Sequence, residues 1–264
     1  MKAAGRVTRL IIWLNALVAA YSLLAAFRHW PDFPQEWMRL EAGEFFDGYW
    51  WEPFTCMWLH VPFVGMGVLH ILFNMTTLAG FGQAVERELG WRRYLVLYLV
   101  CGLVSSFAFV AEAGLRWWWL GQTQILDVPV MGASGAIFGV VAAFAVYYPD
   151  VKLYVMLIPV PIRALTAIRG AIVLSVLFIV TQSFGFVAHS AHLGGALAGL
   201  ALATWLFRKK GVVTAVADPE VEGMGEDELR LELPRVLEKI TSQGVWSLSE
   251  RERKILDRGR TLFR

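Results

Sequence analysis

The chain has 264 residues, of which 57% are hydrophobic, and it contains 12 tryptophans. Its mean hydropathy of +0.52 exceeds that of an ordinary soluble domain, so the composition predicts a protein that faces lipid. A net charge of +2 is too small to indicate a nucleic-acid partner. Half of all charged residues follow Phe207, which divides the chain into an apolar part, 1–207, and a charged tail, 208–264. The two cysteines, Cys56 and Cys101, have no metal-site spacing and are predicted to be structural.

Uncharged apolar runs long enough to span a bilayer recur along the apolar part. The separate runs are Leu10 to Phe27, Val68 to Val85, Tyr94 to Ala111 and Val128 to Tyr148. A further run, Ala171 to Phe207, would be about 55 Å long as one helix, nearly twice a bilayer core. It is therefore predicted to be a hairpin that breaks around residues 181–185 and follows an amphipathic cytoplasmic segment at 152–169. The resulting fold class is all-α, a polytopic membrane bundle of six transmembrane helices.

Basic residues near the ends of the spans predict the orientation in the membrane. If the N-terminus is cytoplasmic, most Lys and Arg residues near the spans lie inside, and only Arg28, Arg39 and Arg116 lie outside. Both termini are therefore predicted to be cytoplasmic. The first outer segment, residues 28–61, mixes acidic and aromatic residues, which is typical of structure resting on the membrane interface.

Four polar side chains are predicted to lie at one depth in the bundle. In this orientation spans two, four and six begin at the outer face. His70 and Asn74 lie four residues apart on one face of span two. Ser134 opens span four, and His192 opens span six. Because unpaired polar groups in lipid are costly, these side chains are expected to face one another or a water-filled cavity.

The chemistry of these residue types suits nucleophilic catalysis. An imidazole within hydrogen-bond reach can activate a serine hydroxyl, so Ser134 and His192 fit a catalytic pair. The tetrahedral intermediate needs hydrogen-bond donors, which the Ser134 backbone amide, the Asn74 amide and the His70 imidazole could supply. No acidic residue lies near His192 in the sequence, which favours a dyad. Because His192 must be neutral to act as base, activity is predicted to fall as the pH drops through its pKa.

Small residues follow the two reactive side chains within one turn. Gly135 and Gly139 form one small-xxx-small face, and Gly195 and Gly199 form another. Such a pair alone often reflects ordinary packing. Close contact between spans four and six would nevertheless bring the serine and the histidine together.

Four separated segments, in this order, resemble the rhomboid family of intramembrane serine proteases. They are His70-Ile71-Leu72-Phe73-Asn74, Ala84-Val85-Glu86-Arg87-Glu88-Leu89-Gly90, Gly132-Ala133-Ser134-Gly135 and Ala191-His192-Leu193-Gly194-Gly195. The resemblance covers roughly residues 51–207 and implies a six-helix protease domain that uses no cofactor or metal. It implies cleavage of transmembrane-helix proteins in the lipid bilayer near the outer interface. By the resemblance Ser134 is the nucleophile, His192 the base, and His70 and Asn74 the oxyanion donors.

Three features depart from the family pattern. Glu52 follows Trp51 where the family often has an arginine, and residues 64–68 look like an insertion. Both changes lie in or beside the first outer loop. Phe138 stands where an active-site tyrosine is frequent, and it could stack on the His192 ring without offering a hydroxyl. Catalysis is expected to tolerate that change.

The tail is a different kind of sequence. A basic stop at 208–210 precedes an acidic stretch at 218–228, and the remainder predicts two short helices. The first is predicted to have Pro234 at its first position and to end before Gly244. Residues 249–252, Ser-Glu-Arg-Glu, resemble a capping box for the second. A cytoplasmic regulatory or docking tail that binds a cytosolic partner is expected. The tail also resembles an appendage of some bacterial rhomboids, which favours a bacterial cell membrane.

Two other functional classes remain open. One is an inactive relative that binds transmembrane helices, although the presence of both Ser134 and His192 argues against it. The other is a transporter or metal-dependent protease built on histidines: His60, His70, His189 and His192. No HExxH motif exists, and no acidic residue lies within spans two, four or six. Taken singly, His60 and His189 are predicted to be structural or interfacial. Chelator-sensitive activity would favour the metal mechanism.

Overall fold

The computed structural model describes residues 5–60, 67–154, 160–183, 188–206, 221, 223–244 and 247–262. The chain divides into two compact units, residues 1–207 and 208–264. Most of the described residues are helical. Residues 64–66 of the apparent insertion lie outside the described ranges.

The first unit contains ten helices among its described residues. They are α1 (Arg6–Arg28), α2 (Phe33–Trp37), α3 (Ala42–Phe46), α4 (Glu52–Thr55), α5 (Gly67–Thr77), α6 (Gln83–Leu89), α7 (Trp91–Leu120), α8 (Ser134–Tyr147), α9 (Ala164–Thr181) and α10 (His189–Ala201). A π-helical turn, Leu78–Gly82, joins α5 to α6, and a second, Leu202–Leu206, follows α10. Short 3-10 turns occupy Cys56–Trp58 and Thr123–Ile125.

Several of these helices have the length and surface of membrane spans. Within the described ranges, four are long and apolar enough to cross a bilayer: Arg6–Arg28, Gly67–Leu89, Trp91–Leu120 and Ala164–Thr181. The last of them, α9, exposes Val173, Leu177 and Val180, which suits a helix facing lipid. The chain is therefore a helical membrane protein. The count of six spans stays a prediction, because α8 is a shorter apolar helix.

The centre of the first unit is formed by α7, α8 and α10, which pack more closely on one another than any other helices do. A Cβ atom at Gly195 would overlap the carbonyl oxygen of Gly135, and one at Gly199 would overlap that of Gly139. The two predicted small-residue faces thus lie against each other. Backbone-to-backbone contact of this kind is available only where side chains are absent.

The segment before α8 is held by residues 28–61, the predicted outer segment, which is called the outer loop below. Leu40 and Val130 form an isolated antiparallel bridge, with N–H···O distances of 3.0 and 2.8 Å between their backbones. The Gly132 N–H donates to the Cys56 carbonyl at 2.9 Å. Span four opens at Ser134 as predicted, and the apolar run that starts at Val128 is longer than the helix because its first residues are extended and already paired.

The hairpin between α8 and α9 also differs from the prediction. The amphipathic segment expected at 152–169 contains β1 (Lys152–Leu153) and β2 (Ile162–Arg163), which pair antiparallel, with Lys152 opposite Arg163. Residues 155–159 lie outside the described ranges. The helix starts only at Ala164, since Arg163 has extended backbone angles. The break between α9 and α10 falls where it was predicted, as α9 ends at Thr181.

A carboxylate from α6 caps the first helix. The Glu86 side chain is buried and accepts hydrogen bonds from the Val7 N–H at 3.1 Å, the Thr8 N–H at 2.9 Å and the Thr8 hydroxyl at 2.7 Å. The first amides of a helix have no partner within the helix, and a negative charge there also favours the helix dipole. Glu86 therefore fixes the N-terminus of α1 against α6.

The second unit contains α11 (Glu226–Gln243) and α12 (Glu250–Leu262). The expected position of Pro234 at the start of a helix is wrong, because α11 begins at Glu226 and Pro234 lies inside it. Three acidic residues in the first turn favour that earlier start through the helix dipole. The helix ends at Gly244 as predicted, in a left-handed backbone conformation with φ of 79°.

The capping box of α12 is confirmed. The Ser249 N–H donates to the Glu252 carboxylate at 2.6 Å, and the Glu252 N–H donates to the Ser249 hydroxyl at 3.3 Å. The two helices share a small apolar core: Val221, Met224, Leu229, Val236, Leu248 and Ile255. The basic stop at 208–210 and the acidic residues 218–220 lie outside the described residues.

Candidate active site

The structure brings Ser134 and His192 into direct contact. Ser134 is the first residue of α8, and His192 lies in the first turn of α10. The Ser134 Oγ lies 2.9 Å from the His192 Nε2. Phe138, one turn along α8, stacks on the His192 ring with a centroid distance of 4.3 Å and an angle of 10° between the planes. The stack holds the imidazole with its Nε2 edge toward the serine.

His70 and Asn74 lie beside the backbone that leads into this pair. Gly132 has a φ of 127°, and a Cβ on it would lie 2.9 Å from the His70 Cε1 and 3.0 Å from its Nε2. The same Cβ would lie 3.7 Å from the Asn74 Nδ2. Both side chains therefore lie beside Gly132, the loop residue two positions before Ser134. The Ser134 amide, as the first of its helix, has no partner within the helix.

All four predicted residues line one cavity of about 860 Å³. Its walls also include Phe73 of α5, Phe178 and Ile179 of α9, and Arg116 of α7. The Arg116 guanidinium pairs with Glu112 on its own helix and donates to the Ile179 carbonyl at 3.2 Å. A cavity of this size with an apolar wall and few polar groups is typical of a binding site.

One contact of the site could not be inferred from the sequence. The Asn74 Nδ2 lies 3.0 Å from the His60 Nε2. His60 stands in the outer loop, where neither helical periodicity nor a short motif links it to Asn74. Sequence reasoning therefore assigned His60 only a structural or interfacial place.

The histidines do not form a metal cluster in the part of the chain that the structure describes. No group of three or more His, Cys, Asp or Glu side chains is arranged there to hold an ion. The His60 and His70 rings lie 5.2 Å apart, the His192 ring pairs with Ser134, and the His189 ring packs on Phe178 at 4.8 Å.

A buried carboxyl group lies in the outer loop that braces the site. Glu52 is 1% exposed, and its Oε2 accepts the Glu41 N–H at 3.2 Å. Burial, together with a hydrogen bond to the Glu44 carboxyl, raises the pKa of Glu52 to about 8. Glu41 directly follows Leu40, which pairs with Val130 in the segment before α8, so the hydrogen bond to Glu52 lies next to that bridge. The buried carboxyl group therefore belongs to the loop that holds the segment before Ser134.

These elements define a helical membrane protein that holds a serine–histidine pair inside its bundle. A family model described as the rhomboid domain matches residues 47–209, well over half of the chain. The chain therefore belongs to the rhomboid family.

The chain is similar to several curated rhomboid proteins. It is 35% identical over 137 residues to the mitochondrial presenilin-associated rhomboid-like protein A of Danio rerio, covering 50% of this chain and 33% of that protein. It is 33% identical over 156 residues to the rhomboid protease GluP of Bacillus subtilis, covering 58% of this chain and 25% of that protein. Rhomboid protein 1 of Saccharomyces cerevisiae, also mitochondrial, is 28% identical over 141 residues, with 53% and 38% covered. The chain thus spans well under half the length of these relatives.

Proposed function

We propose that the chain is a serine-type intramembrane endopeptidase that cleaves transmembrane segments of membrane proteins near the outer interface. The observation that carries the proposal is the 2.9 Å contact between the Ser134 Oγ and the His192 Nε2, inside a bundle of apolar helices. Membership of a family that includes a named protease, GluP, supports it. No cofactor has a part in this chemistry.

In the proposed mechanism Ser134 attacks the substrate carbonyl carbon while its proton passes to the His192 Nε2. The oxygen that becomes negative accepts hydrogen bonds from the Ser134 N–H and from the Asn74 and His70 side chains. The carbon–nitrogen bond then breaks, and His192 returns the proton to the leaving amine. A water molecule, activated by the same imidazole, hydrolyses the acyl-enzyme and restores the serine.

The proposed substrates are proteins with a transmembrane helix that enters the cavity from the bilayer. A regular helix hides its carbonyls in backbone hydrogen bonds, so the scissile segment must be extended before it can be attacked. The 860 Å³ cavity offers room for a short extended segment next to Ser134. Segments that unwind easily are therefore expected to be the better substrates.

The wider organisation is part of the same proposal. Residues 1–207 form the protease domain with six spans, and residues 208–264 form a cytoplasmic tail that binds a cytosolic partner. The uneven placement of basic residues supports cytoplasmic termini. Similarity to the Bacillus subtilis protease supports a bacterial cell membrane, although other similar relatives are mitochondrial.

The test is labelling of the purified, detergent-solubilised protein with a fluorophosphonate probe. Wild type should be labelled, whereas Ser134→Ala and His192→Ala should not. Ser175→Ala, which removes a buried serine on α9, is the matched control and should be labelled like wild type. Labelling that survives Ser134→Ala would exclude this nucleophile. Absence of labelling in the folded wild type would instead favour a helix-binding function without catalysis.

A second measurement separates the serine mechanism from the metal alternative. Cleavage of a reconstituted single-span substrate should be unaffected by a divalent-metal chelator and abolished by Ser134→Ala. Chelator-sensitive cleavage that persists in Ser134→Ala would overturn the proposal in favour of metal catalysis.

A further inference from the structure

His60 is a buried loop side chain in contact with a proposed oxyanion donor. Its Nε2 lies 3.0 Å from the Asn74 Nδ2, and His60 and Asn74 are 3% and 6% exposed. A hydrogen bond at this distance between buried groups constrains both partners, because neither can turn to water instead.

The donor and acceptor in this contact follow from the chemistry of the two groups. An amide nitrogen only donates, so the His60 Nε2 must accept and cannot carry a proton. The imidazole is then neutral, with its proton on Nδ1. One N–H of the Asn74 amide is directed to His60, which leaves the second for another acceptor. That same nitrogen lies beside Gly132, where the loop enters α8.

His60 is held at its backbone and at its ring. The Gln35 side chain of α2 donates to the His60 carbonyl oxygen at 3.0 Å. The His60 ring also lies against the His70 ring, with centroids 5.2 Å apart and planes at 55°. The bond from α2 and the ring contact with α5 therefore keep the His60 imidazole against both proposed oxyanion side chains.

We propose that His60 is a positioning residue that fixes the rotamer of Asn74 so that its second N–H points at the developing oxyanion. This inference rests on the proposed function and assigns a role in it to a residue outside the serine–histidine pair. Without an acceptor at His60, the carboxamide can rotate and must reorganise in each turnover. The loss should therefore appear in kcat, because an oxyanion donor acts mainly in the transition state.

The first experiment compares two substitutions that differ in their ability to accept a hydrogen bond. His60→Gln keeps a side-chain acceptor, and His60→Leu keeps only bulk. On a reconstituted transmembrane substrate, His60→Leu should lower kcat about tenfold or more and leave KM nearly unchanged. For comparison, removal of a whole oxyanion donor typically lowers kcat about 10²- to 10³-fold. His60→Gln should retain most of the wild-type kcat. Equal losses in both variants would overturn the inference.

The second experiment asks whether His60 acts through Asn74. In an Asn74→Ala background, His60→Leu should change kcat by less than about twofold, because the group that it positions is already gone. Independent effects that multiply would assign His60 a purely structural role. If His60→Leu does not fold, His60→Phe, which keeps an aromatic ring without a nitrogen acceptor, replaces it in the same cycle with the same expectations.

A measurement without turnover separates this inference from the proposed function. Nitrogen-15 NMR of histidine-labelled protein should show the His60 Nε2 unprotonated and hydrogen-bonded, and this signal should shift in Asn74→Ala. A protonated Nε2 would overturn the inference even in an active enzyme. If the folded wild type cleaves nothing, the proposed function fails, while the tautomer still decides whether His60 accepts from Asn74.

Discussion

Gly132 has little room for a side chain beside the proposed oxyanion donors. Its φ of 127° lies in a region that L-residues rarely adopt, and a Cβ on it would lie 2.9 Å from the His70 Cε1. A side chain there would strain the backbone and displace one proposed oxyanion donor at the same time.

We therefore expect Gly132→Ala to lower kcat/KM at least about tenfold, through the displaced His70 ring and the shifted backbone before Ser134. Gly121→Ala is the matched control, because Gly121 also has a positive φ, of 63°, but nothing lies within 4 Å of a new Cβ there. Both variants carry backbone strain, of about 1 kcal/mol or more, but only Gly132→Ala places it next to Ser134 and against the His70 ring. Equal kcat/KM values for the two variants would show that the contact has no catalytic effect.

Phe138 allows the orientation of the histidine ring to be tested. Phe138→Leu should lower kcat several-fold, since aromatic stacking is worth about 0.5–1.5 kcal/mol and the leucine leaves the His192 ring free to turn. Phe138→Tyr keeps the stacked ring and should stay close to wild type. The measurement is kcat on a reconstituted substrate, with the unfolding midpoint recorded for each variant. A leucine variant as active as the tyrosine variant would exclude a role for the stack.

At the scale of elements, the contact between α8 and α10 sets the distance between nucleophile and base. Gly199→Ala should destabilise the protein by about 1–3 kcal/mol, because the new methyl group would meet the backbone of Gly139. Gly170→Ala on α9, where nothing lies within 4 Å of a new Cβ, should leave the unfolding midpoint unchanged or slightly raised. Thermal unfolding in detergent micelles measures both. Similar midpoints would mean that the two helices are able to separate freely.

The cap of α1 is a second test at this scale. Glu86→Ala should lower the free energy of unfolding by about 1–2 kcal/mol, because the Val7 and Thr8 amides lose their acceptor in a buried place. Arg87→Ala, an exposed neighbour on the same helix, serves as the control. Hydrogen exchange at the first turn of α1 should accelerate only in the Glu86 variant. Unchanged exchange there would contradict the capping role.

The outcome of sequence reasoning depended on whether a feature is local. Apolar runs and the capping box at Ser249 are local patterns, and both are found in the structure. The helix start predicted at Pro234 is wrong because stronger signals place the start earlier. Three acidic residues in the first turn, Glu226, Asp227 and Glu228, favour a helix that begins at Glu226. The Leu40–Val130 bridge and the His60–Asn74 contact join residues far apart in the chain. No periodicity encodes such pairs, so the pairing of the segment before α8 and the surroundings of the oxyanion site could not be predicted.

For the molecule as a whole, the outer loop should make stability depend on pH. The pKa of Glu52 is raised from 4.5 to about 8, chiefly by burial, so the folded state binds a proton that the unfolded state releases. The stabilisation from the protonated carboxyl is complete below about pH 4.5. It is lost progressively as the pH rises through 8, because folding must then either keep the proton or bury a charge.

Glu52→Gln tests this linkage, because the amide mimics the protonated carboxyl and keeps an oxygen for the Glu41 N–H. The unfolding midpoint of wild type should fall relative to that of Glu52→Gln between pH 5 and 9, and the two should converge at the acidic end. Glu36→Gln, at an exposed position of the same loop, should follow wild type throughout. A constant difference between Glu52→Gln and wild type across this range would mean that Glu52 is charged in the folded protein. The outer loop would then have to supply a positively charged partner to the Glu52 carboxylate.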